Sequence, residues 1–278
     1  MSENQFSDQN YRLFSQFLEK ASGIVLGDNK QYLVKSRLSS HVKSQGTQTL
    51  DELIEKIVLR QDRRAQLVAI EAMTTNETLW FRDSYPFSLL ENTILPQFQN
   101  KTSALKIWSA ACSSGQEAYS IAMTIANYKK KNPTSLRAGA QILGTDISEE
   151  MLQKCRMAEY EPLALSRGLS ESLKHEYFEP ADDAKFRVKA HLKAMATFRQ
   201  FNLLDSYASM GQFDIIFCRN VLIYFSPEVK KQILQKIAAC LQDGGILFVG
   251  ASESISDLIE HFSMVRCNPG LYYLKKSK

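Results

Sequence analysis

Nine consecutive residues, Thr74-Thr75-Asn76-Glu77-Thr78-Leu79-Trp80-Phe81-Arg82, put hydroxyls, an amide, a carboxylate and a guanidinium just ahead of an alternating strand–helix pattern. Such a mixture suits a pocket at a domain junction, where ligand sites concentrate. It would equally serve a capped helix start, since Thr and Asn are common N-caps. Further on, the turn Ser109-Ala110-Ala111-Cys112-Ser113-Ser114-Gly115-Gln116-Glu117 is built of small residues, so a ligand can approach the backbone at a helix N-terminus. Gly115 stands alone where the dinucleotide fingerprint needs three glycines, which argues against a pyrophosphate cradle and against nicotinamide or flavin chemistry. Asp146 ends the next strand, where open α/β folds place an acid on ribose hydroxyls, although it could simply cap the following helix. An acid there without a phosphate loop fits a nucleoside cofactor that lacks phosphates. S-adenosyl-L-methionine meets that description, and its sulfonium would favour a nearby carboxylate such as Glu117.

Two further pairs fall at strand ends. Asn202-Leu203 follows a third strand, within reach of an adenine at the same sheet edge. Arg219-Asn220 terminates the apolar run Phe213–Cys218, with Tyr224 close behind. Polar residues directly after a buried strand line the crevice where such folds bind ligands; Asn220 could alternatively just cap a turn. The sequence holds no D-P-P-Y tetrad of base methylation, no G-x-S-x-G elbow and no P-loop.

The elements that must position these groups are legible from periodicity. Residues 1–75 read as an all-α domain. Helices are expected over Tyr11–Ala21 with Gly23 as stop, over Gln31–Lys43 with Asp28 as cap, and over Leu50–Arg60 and Arg64–Thr74. On the second of these, Val34, Leu38 and Val42 make an apolar stripe. Lys30, Arg37 and His41 make a basic one, either a solvated face or a docking surface for an acidic helical partner. Residues 76–278 read as a doubly wound α/β domain. Its strands lie at Leu105–Trp108, Gln141–Asp146, Phe213–Cys218 and Ile246–Val249, its helices at Ala118–Tyr128 and from Pro227 to Leu241, with Ser148 capping a further one. A terminal hairpin turns at Asn268-Pro269-Gly270. Between about 160 and 200 the rhythm breaks. The strict alternation from Lys185 to Lys193 predicts one exposed antiparallel strand in an inserted subdomain, its basic face either blocking edge pairing or attracting a partner.

Composition restricts the remaining classes. The chain has 278 residues, 44% hydrophobic and 23% charged, with a mild net charge of +4, as expected of a globular protein without a concentrated nucleic-acid footprint. No apolar run approaches the roughly 20 residues of a membrane span, and Met1-Ser2-Glu3-Asn4-Gln5 carries no signal pattern. Cys112, Cys155, Cys218, Cys240 and Cys267 are odd in number and widely spaced, and the four histidines are scattered. Reduced thiols, a cytoplasmic location and no metal site are expected.

Taken together, Thr74–Thr78 with Phe81-Arg82, the turn Trp108–Glu117, Gly144-Thr145-Asp146-Ile147, Phe217–Phe225 and Gly250-Ala251-Ser252-Glu253 resemble the bacterial chemotaxis receptor methyltransferases, the CheR family. They occur in the family's order across nearly the whole chain, with Trp80 in place of a usual phenylalanine and Ala118 in place of a usual proline. The resemblance implies an all-α N-terminal receptor-docking domain, then a Rossmann-like S-adenosyl-L-methionine-dependent methyltransferase domain with a small inserted antiparallel β-subdomain. It implies methyl transfer to receptor glutamates, giving glutamyl 5-O-methyl esters and S-adenosyl-L-homocysteine. Arg82 and Tyr224 would be catalytic, while Asn76, Thr78, Arg82, Glu117, Asp146, Asn202, Leu203, Arg219 and Asn220 would hold the cofactor. The partners would be the methylation helices of chemoreceptors, with no nucleic acid and no membrane insertion. Family members that bind a C-terminal receptor pentapeptide have a longer, glycine-containing subdomain loop. The segment Phe178–Arg187 is shorter and lacks glycine, so no tether is expected. A methyltransferase of RNA or of a small molecule, and a non-catalytic cofactor-binding signalling module, are the alternatives.

Overall fold

A computed structural model describes residues 7–255 and 260–277, so the N-terminal stretch Met1–Gln5 read for a signal pattern lies outside the described residues. The backbone divides into two compact units, one of residues 1–75 with 224–230, the other of residues 76–223 with 231–278.

The first unit packs four helices: α1 (Asp8–Ser22), α2 (Gln31–Leu38), α3 (Leu50–Val58) and α4 (Arg63–Met73). Each start has a local cause. Ser7, Thr49 and Asp62 accept N–H groups of the first turns of α1, α3 and α4, and such caps contribute about 1 kcal/mol each. Gly23, at φ 78°, ends α1 in the left-handed conformation. The apolar stripe of α2 faces the core as expected, with Val34 and Leu38 fully buried beside Phe14, Leu18 and Ile57.

Two expectations for this helix fail. Asp28 does not cap it. Lys30 occupies the cap position without a side-chain bond, because Asn29 turns left-handed at φ 64°. Nor does the helix reach Lys43, since it ends at Leu38 and continues as two short 3₁₀ turns, Ser39–His41 and Lys43–Gln45.

The second unit centres on a seven-stranded sheet. Its strands are β1 (Leu105–Ala110), β2 (Ala140–Asp146), β6 (Ala196–Gln200), β7 (Phe213–Cys218), β8 (Leu241–Val249), β9 (Phe262–Cys267) and β10 (Gly270–Lys275), in the order β6-β2-β1-β7-β8-β10-β9. The β6-β2-β1-β7-β8 run is parallel and the terminal hairpin antiparallel. Helices α5 (Tyr85–Leu89), α6 (Gln116–Lys131), α7 (Glu149–Met157) and α11 (Pro227–Cys240) provide the crossovers and flanks. Every residue of β7 is buried, as expected of a central parallel strand covered on both faces. Strand order reverses direction at β1, between β2 and β7, so the carboxyl ends of β1 and β7 frame the crevice that open α/β sheets use for ligands.

The inserted sheet is smaller: β3 (Glu159–Tyr160), β4 (Phe178–Pro180) and β5 (Phe186–Val188), in the order β3-β5-β4, antiparallel throughout. Helices α8 (Pro162–Ser166), α9 (Glu171–Tyr177) and α10 (Ala190–Lys193) accompany it. The alternating stretch Lys185–Lys193 is therefore not one strand. Lys189, at φ −60° and ψ 147°, starts α10 after only three strand residues. Its basic face is also consumed internally. Arg187 pairs with Glu159 at 2.5 Å, Lys185 with Glu161 at 3.6 Å, and Lys189 and Lys193 donate to the carbonyls of Glu176 and Met157. Residues 196–200, expected within the insertion, belong instead to the main sheet as β6.

Candidate functional site

The turn after β1 is the first element of the site. Ser109 ends in full burial, Ala111 and Ser113 adopt left-handed backbones, and Gly115, at φ 93°, opens α6. A Cβ on Gly115 would meet Cys155 Sγ at 3.0 Å and the Tyr160 hydroxyl at 3.1 Å, so glycine is required there on two counts. Asp146, at the end of β2, fixes this turn. Its Oδ2 accepts the Ser113 N–H at 2.8 Å and its Oδ1 accepts the Ser148 N–H at 3.0 Å. Ser148, not Asp146, caps α7 through its hydroxyl.

Glu117 stands in the first turn of α6, where the helix dipole favours an anion. Its Oε1 accepts the Ser109 hydroxyl at 2.7 Å and its Oε2 accepts Arg219 Nη1 at 2.9 Å. The Arg219 side chain, 1% exposed, also donates from Nη2 to Asp83 Oδ2 at 2.7 Å and to the Arg82 carbonyl at 2.8 Å. One guanidinium thus joins the ends of β1 and β7 to the segment carrying Arg82 and Asp83, and only a planar fork can reach both carboxylates at once. Its Nε is buried with no hydrogen-bond partner among the described residues.

Asn220 is held differently. It sits at φ 58°, and its N–H donates to Glu253 Oε2 at 2.8 Å. The same carboxylate accepts the N–H groups of Gly250 at 2.7 Å and Ile223 at 3.2 Å. Glu253 is therefore the post that sets the loop after β7. The Gly250–Glu253 motif quoted from the sequence contains it, but only the fold reveals its three amide partners.

The other predicted residues are placed as follows. Asn76 and Thr78 line a cleft of about 190 Å³ together with Glu77, Ser114, Gln116, Ala164 and Arg167. The Asn76 carbonyl accepts the Ser113 hydroxyl at 2.8 Å, which ties the cleft to the β1 turn. Arg82 donates to the Glu77 carbonyl at 3.1 Å. Asn202 Oδ1 accepts the Leu204 N–H at 3.0 Å, and Leu203 is buried with its carbonyl taking the Tyr207 hydroxyl at 3.2 Å. Tyr224 ends the 3₁₀ turn Leu222–Tyr224 and groups with the helical unit, its carbonyl accepting the Val25 N–H at 3.0 Å. Asp83, Glu253 and Arg167 were not among the predicted site residues. Asp83 had a signal, as an acid directly after Arg82.

The donor set suits adenosylmethionine. Asp146 offers a buried carboxylate for a diol, Glu117 a carboxylate for a cationic methionine end, and the small-residue turn leaves its backbone approachable. The thiols nearby are inert. A hydrogen bond with Cys155, followed by burial, pushes the Cys112 thiol well up, and burial does the same for Cys218. Among the described residues no group of three or more His, Cys, Asp or Glu side chains could share a metal ion, and no helix is long and apolar enough to cross a membrane.

Comparison with known proteins places this geometry. The profile of the CheR methyltransferase SAM binding domain matches residues 76–271, and that of the CheR methyltransferase all-alpha domain matches residues 9–74. The chain belongs to the CheR methyltransferase family. Chemotaxis protein methyltransferase Cher2 of Pseudomonas putida is 50% identical over 268 residues, covering 96% of this chain and 98% of its own. The chemotaxis protein methyltransferase of Vibrio parahaemolyticus is 52% identical over 276 residues, covering 99% and 100%. That of Salmonella typhimurium is 32% identical over 276 residues, covering 98% and 92%. This CheR family member is thus a chemotaxis protein methyltransferase with an S-adenosylmethionine-binding domain, and the Rossmann-like sheet and all-α N-terminal unit expected from the sequence are those of its family.

Proposed function

We propose that the protein transfers the methyl group of S-adenosyl-L-methionine to glutamate side chains of chemoreceptors, giving glutamyl 5-O-methyl esters and S-adenosyl-L-homocysteine. The observation that carries this reading is that, among the described residues, the carboxylates around the Glu117–Arg219 pair are already committed to hydrogen bonds and ion pairs within the site. Glu117, Asp83, Asp146 and Glu253 are all engaged with Arg219 or with backbone N–H groups. Burial raises the pKa of the Tyr85 hydroxyl and pushes that of the Cys218 thiol well up. A neutral amine or hydroxyl acceptor would need a base. A glutamate, with an ordinary pKa of about 4.3, arrives already ionised. Catalysis then reduces to holding the carboxylate in line with the methyl–sulfonium bond and shielding both from water.

On this reading Asp146 accepts from the ribose and Glu117 faces the methionine end, held there by Arg219. Asn76, Thr78, Asn202, Leu203 and Asn220 complete the cofactor contacts. Arg82 orients the incoming carboxylate, and Tyr224 is assigned to the methyl-transfer pocket on the family resemblance alone. The helical unit meets the receptor's methylation helices.

The test is incubation with labelled adenosylmethionine and receptor-containing membranes, followed by mild base. Ester label leaves as methanol, whereas N-methyl label stays. Labelling of RNA without membranes, or tight cofactor binding without transfer, would replace this reading.

A further inference from the structure

Arg167 lies on the loop after α8 and lines the cleft that also holds Asn76, Thr78 and Gln116. Its main chain is fixed by the site segment itself. The Trp80 N–H donates to the Arg167 carbonyl at 3.1 Å, and Gly168 turns left-handed at φ 98° against the Trp80 carbonyl, where a Cβ would come within 2.1 Å. The loop cannot drift without displacing Trp80, a fully buried ring packed edge-on to Tyr160 and Phe178. The side chain, by contrast, is open: 52% exposed, and ion-paired at 3.2 Å to Glu77, itself 70% exposed.

That contact uses one of five guanidinium donors, and Glu77 is the only acceptor of Arg167 among the described residues. An exposed pair of this kind is weak and readily exchanged, whereas an arginine fork is suited to a two-pronged grip on a carboxylate. The side chain now occupying it is a glutamate, chemically the same group as the proposed substrate. The deeper arginine, Arg219, has both terminal nitrogens committed, and Arg82, bonded to the Glu77 backbone, is the one assigned above to orienting the carboxylate at the reacting centre. Arg167 is the one cation among the residues lining the cleft.

We propose that Arg167 is a specificity-determining residue that captures the anionic side chain of the protein substrate at the cleft rim, and that Glu77 is the internal carboxylate it gives up on capture. This rests on the glutamate-methylating reading above. The two members of the pair then act in opposite directions, Arg167 drawing the substrate in and Glu77 competing with it. A pair that merely propped the loop would give the same defect whichever member was removed.

The experiment compares wild type, R167A, R167K, E77Q and the double variant R167A/E77Q. It measures base-labile methylation of receptor-containing membranes and, by calorimetry, adenosylmethionine affinity. R167A is expected to raise the apparent KM for receptor by about fivefold or more, with kcat and cofactor affinity within about twofold of wild type. R167K should recover part of the loss, since it keeps the charge but not the fork. E77Q should lower KM, and its effect should vanish in the R167A background. Equal increases in KM for R167A and E77Q, an unchanged KM for R167A, or a matching loss of cofactor affinity would each overturn the assignment. Wild type that transfers no base-labile label would instead remove the functional reading itself, and this inference with it.

Discussion

Arg219 and Glu117 stand 102 residues apart in the chain and 2.9 Å apart in the fold, the guanidinium fully buried and the carboxylate largely so, where β7 and α6 meet the β1 turn. Burying two charges is costly, and the pair is tolerable because the remaining lone pairs and donors are also met, by Ser109 on one side and by Asp83 and the Arg82 carbonyl on the other. Removing one member leaves the other uncompensated. Arg219→Ala should therefore cost about 3–5 kcal/mol of stability, read as a shift of the denaturant midpoint at unchanged slope. Arg219→Lys should lose less but fail to restore cofactor binding, because one ammonium cannot span both acids. A loss below about 1 kcal/mol for the alanine variant would mean that the pair is solvated and behaves as a surface bridge.

Asp146→Ala should weaken adenosylmethionine binding at least tenfold, since a charged acceptor in a buried hydrogen bond is worth about 1.5–3 kcal/mol. Asp146→Asn should do little better. Both carboxylate oxygens face N–H groups, of Ser113 and Ser148, and one end of an amide would turn donors toward a donor. Calorimetry on the folded variants is the readout, and unchanged affinity would take Asp146 out of the site.

How far the sequence reaches is visible in these same residues. The apolar runs of β1 and β7 and the small-residue turn before Glu117 declare themselves locally, because burial on both faces and close backbone approach each restrict residue type. Arg219 and Asp146 could be assigned to a sheet edge for that reason. Their partners could not, since the Arg219–Asp83 contact joins segments 136 residues apart and no local period encodes it. The alternation after Lys185 misled because Phe186 and Val188 follow the strand period, while Leu192 is buried one helical turn later by a different geometry. The basic stripe of Lys30, Arg37 and His41 admits two readings from sequence, a solvated face or a docking surface, because a helical wheel gives a face but not what packs against it.

That stripe yields a prediction that separates its members. Arg37 Nη1 donates to the carbonyls of Met73 at 2.6 Å and Thr74 at 2.9 Å, and Nη2 to the Thr75 hydroxyl at 3.0 Å, so it caps the C-terminus of α4. Orphan carbonyls and the negative end of the dipole both favour a cation there. Arg37→Ala should lower stability by about 1.5–3 kcal/mol. Lys30, exposed and bonded only to Tyr32 among the described residues, is the better candidate for an acidic partner. Lys30→Glu should leave the melting temperature unchanged, raise the apparent KM for receptor and flatten its salt dependence. Unaltered methylation at subsaturating receptor would make Lys30 a solvated side chain.

Thiol chemistry checks the packing of the site independently. All five cysteines are free, and Cys267 is the one that is not fully buried. Attack on a disulfide reagent needs thiolate, and a raised pKa means less of it at any given pH. The Cys112 thiol is pushed well up by its hydrogen bond with Cys155 and by burial, and those of Cys218 and Cys240 are raised by burial. At pH 8 a chromogenic disulfide should therefore label Cys267 quickly and the others only on unfolding. Fast reaction of Cys112 or Cys155 in the native protein would show that the β1 turn opens.

The last prediction concerns the inserted sheet. The loop joining β4 to β5 spans residues 181–185 and closes on itself, the Ala181 N–H donating to the Lys185 carbonyl at 2.9 Å and the Lys185 N–H to the Asp182 carbonyl at 3.1 Å. Asp183 and Ala184 take the left-handed conformation that glycine would adopt more easily, so the turn is short and set by its own backbone bonds. Its two exposed acids would repel an acidic peptide, and the cations flanking it are paired, Lys185 with Glu161 and Arg187 with Glu159. A tether raises the local concentration of enzyme only where a peptide can add to a free surface. Free C-terminal peptides of the cell's own receptors, titrated calorimetrically into the full chain, are therefore expected to give no heat of binding. Methylation of a receptor truncated by its last residues should proceed at the rate of the intact one. Micromolar binding of any such peptide would overturn the tether-free reading and would point to a rearranged 181–185 turn, while leaving the methyltransferase site as described.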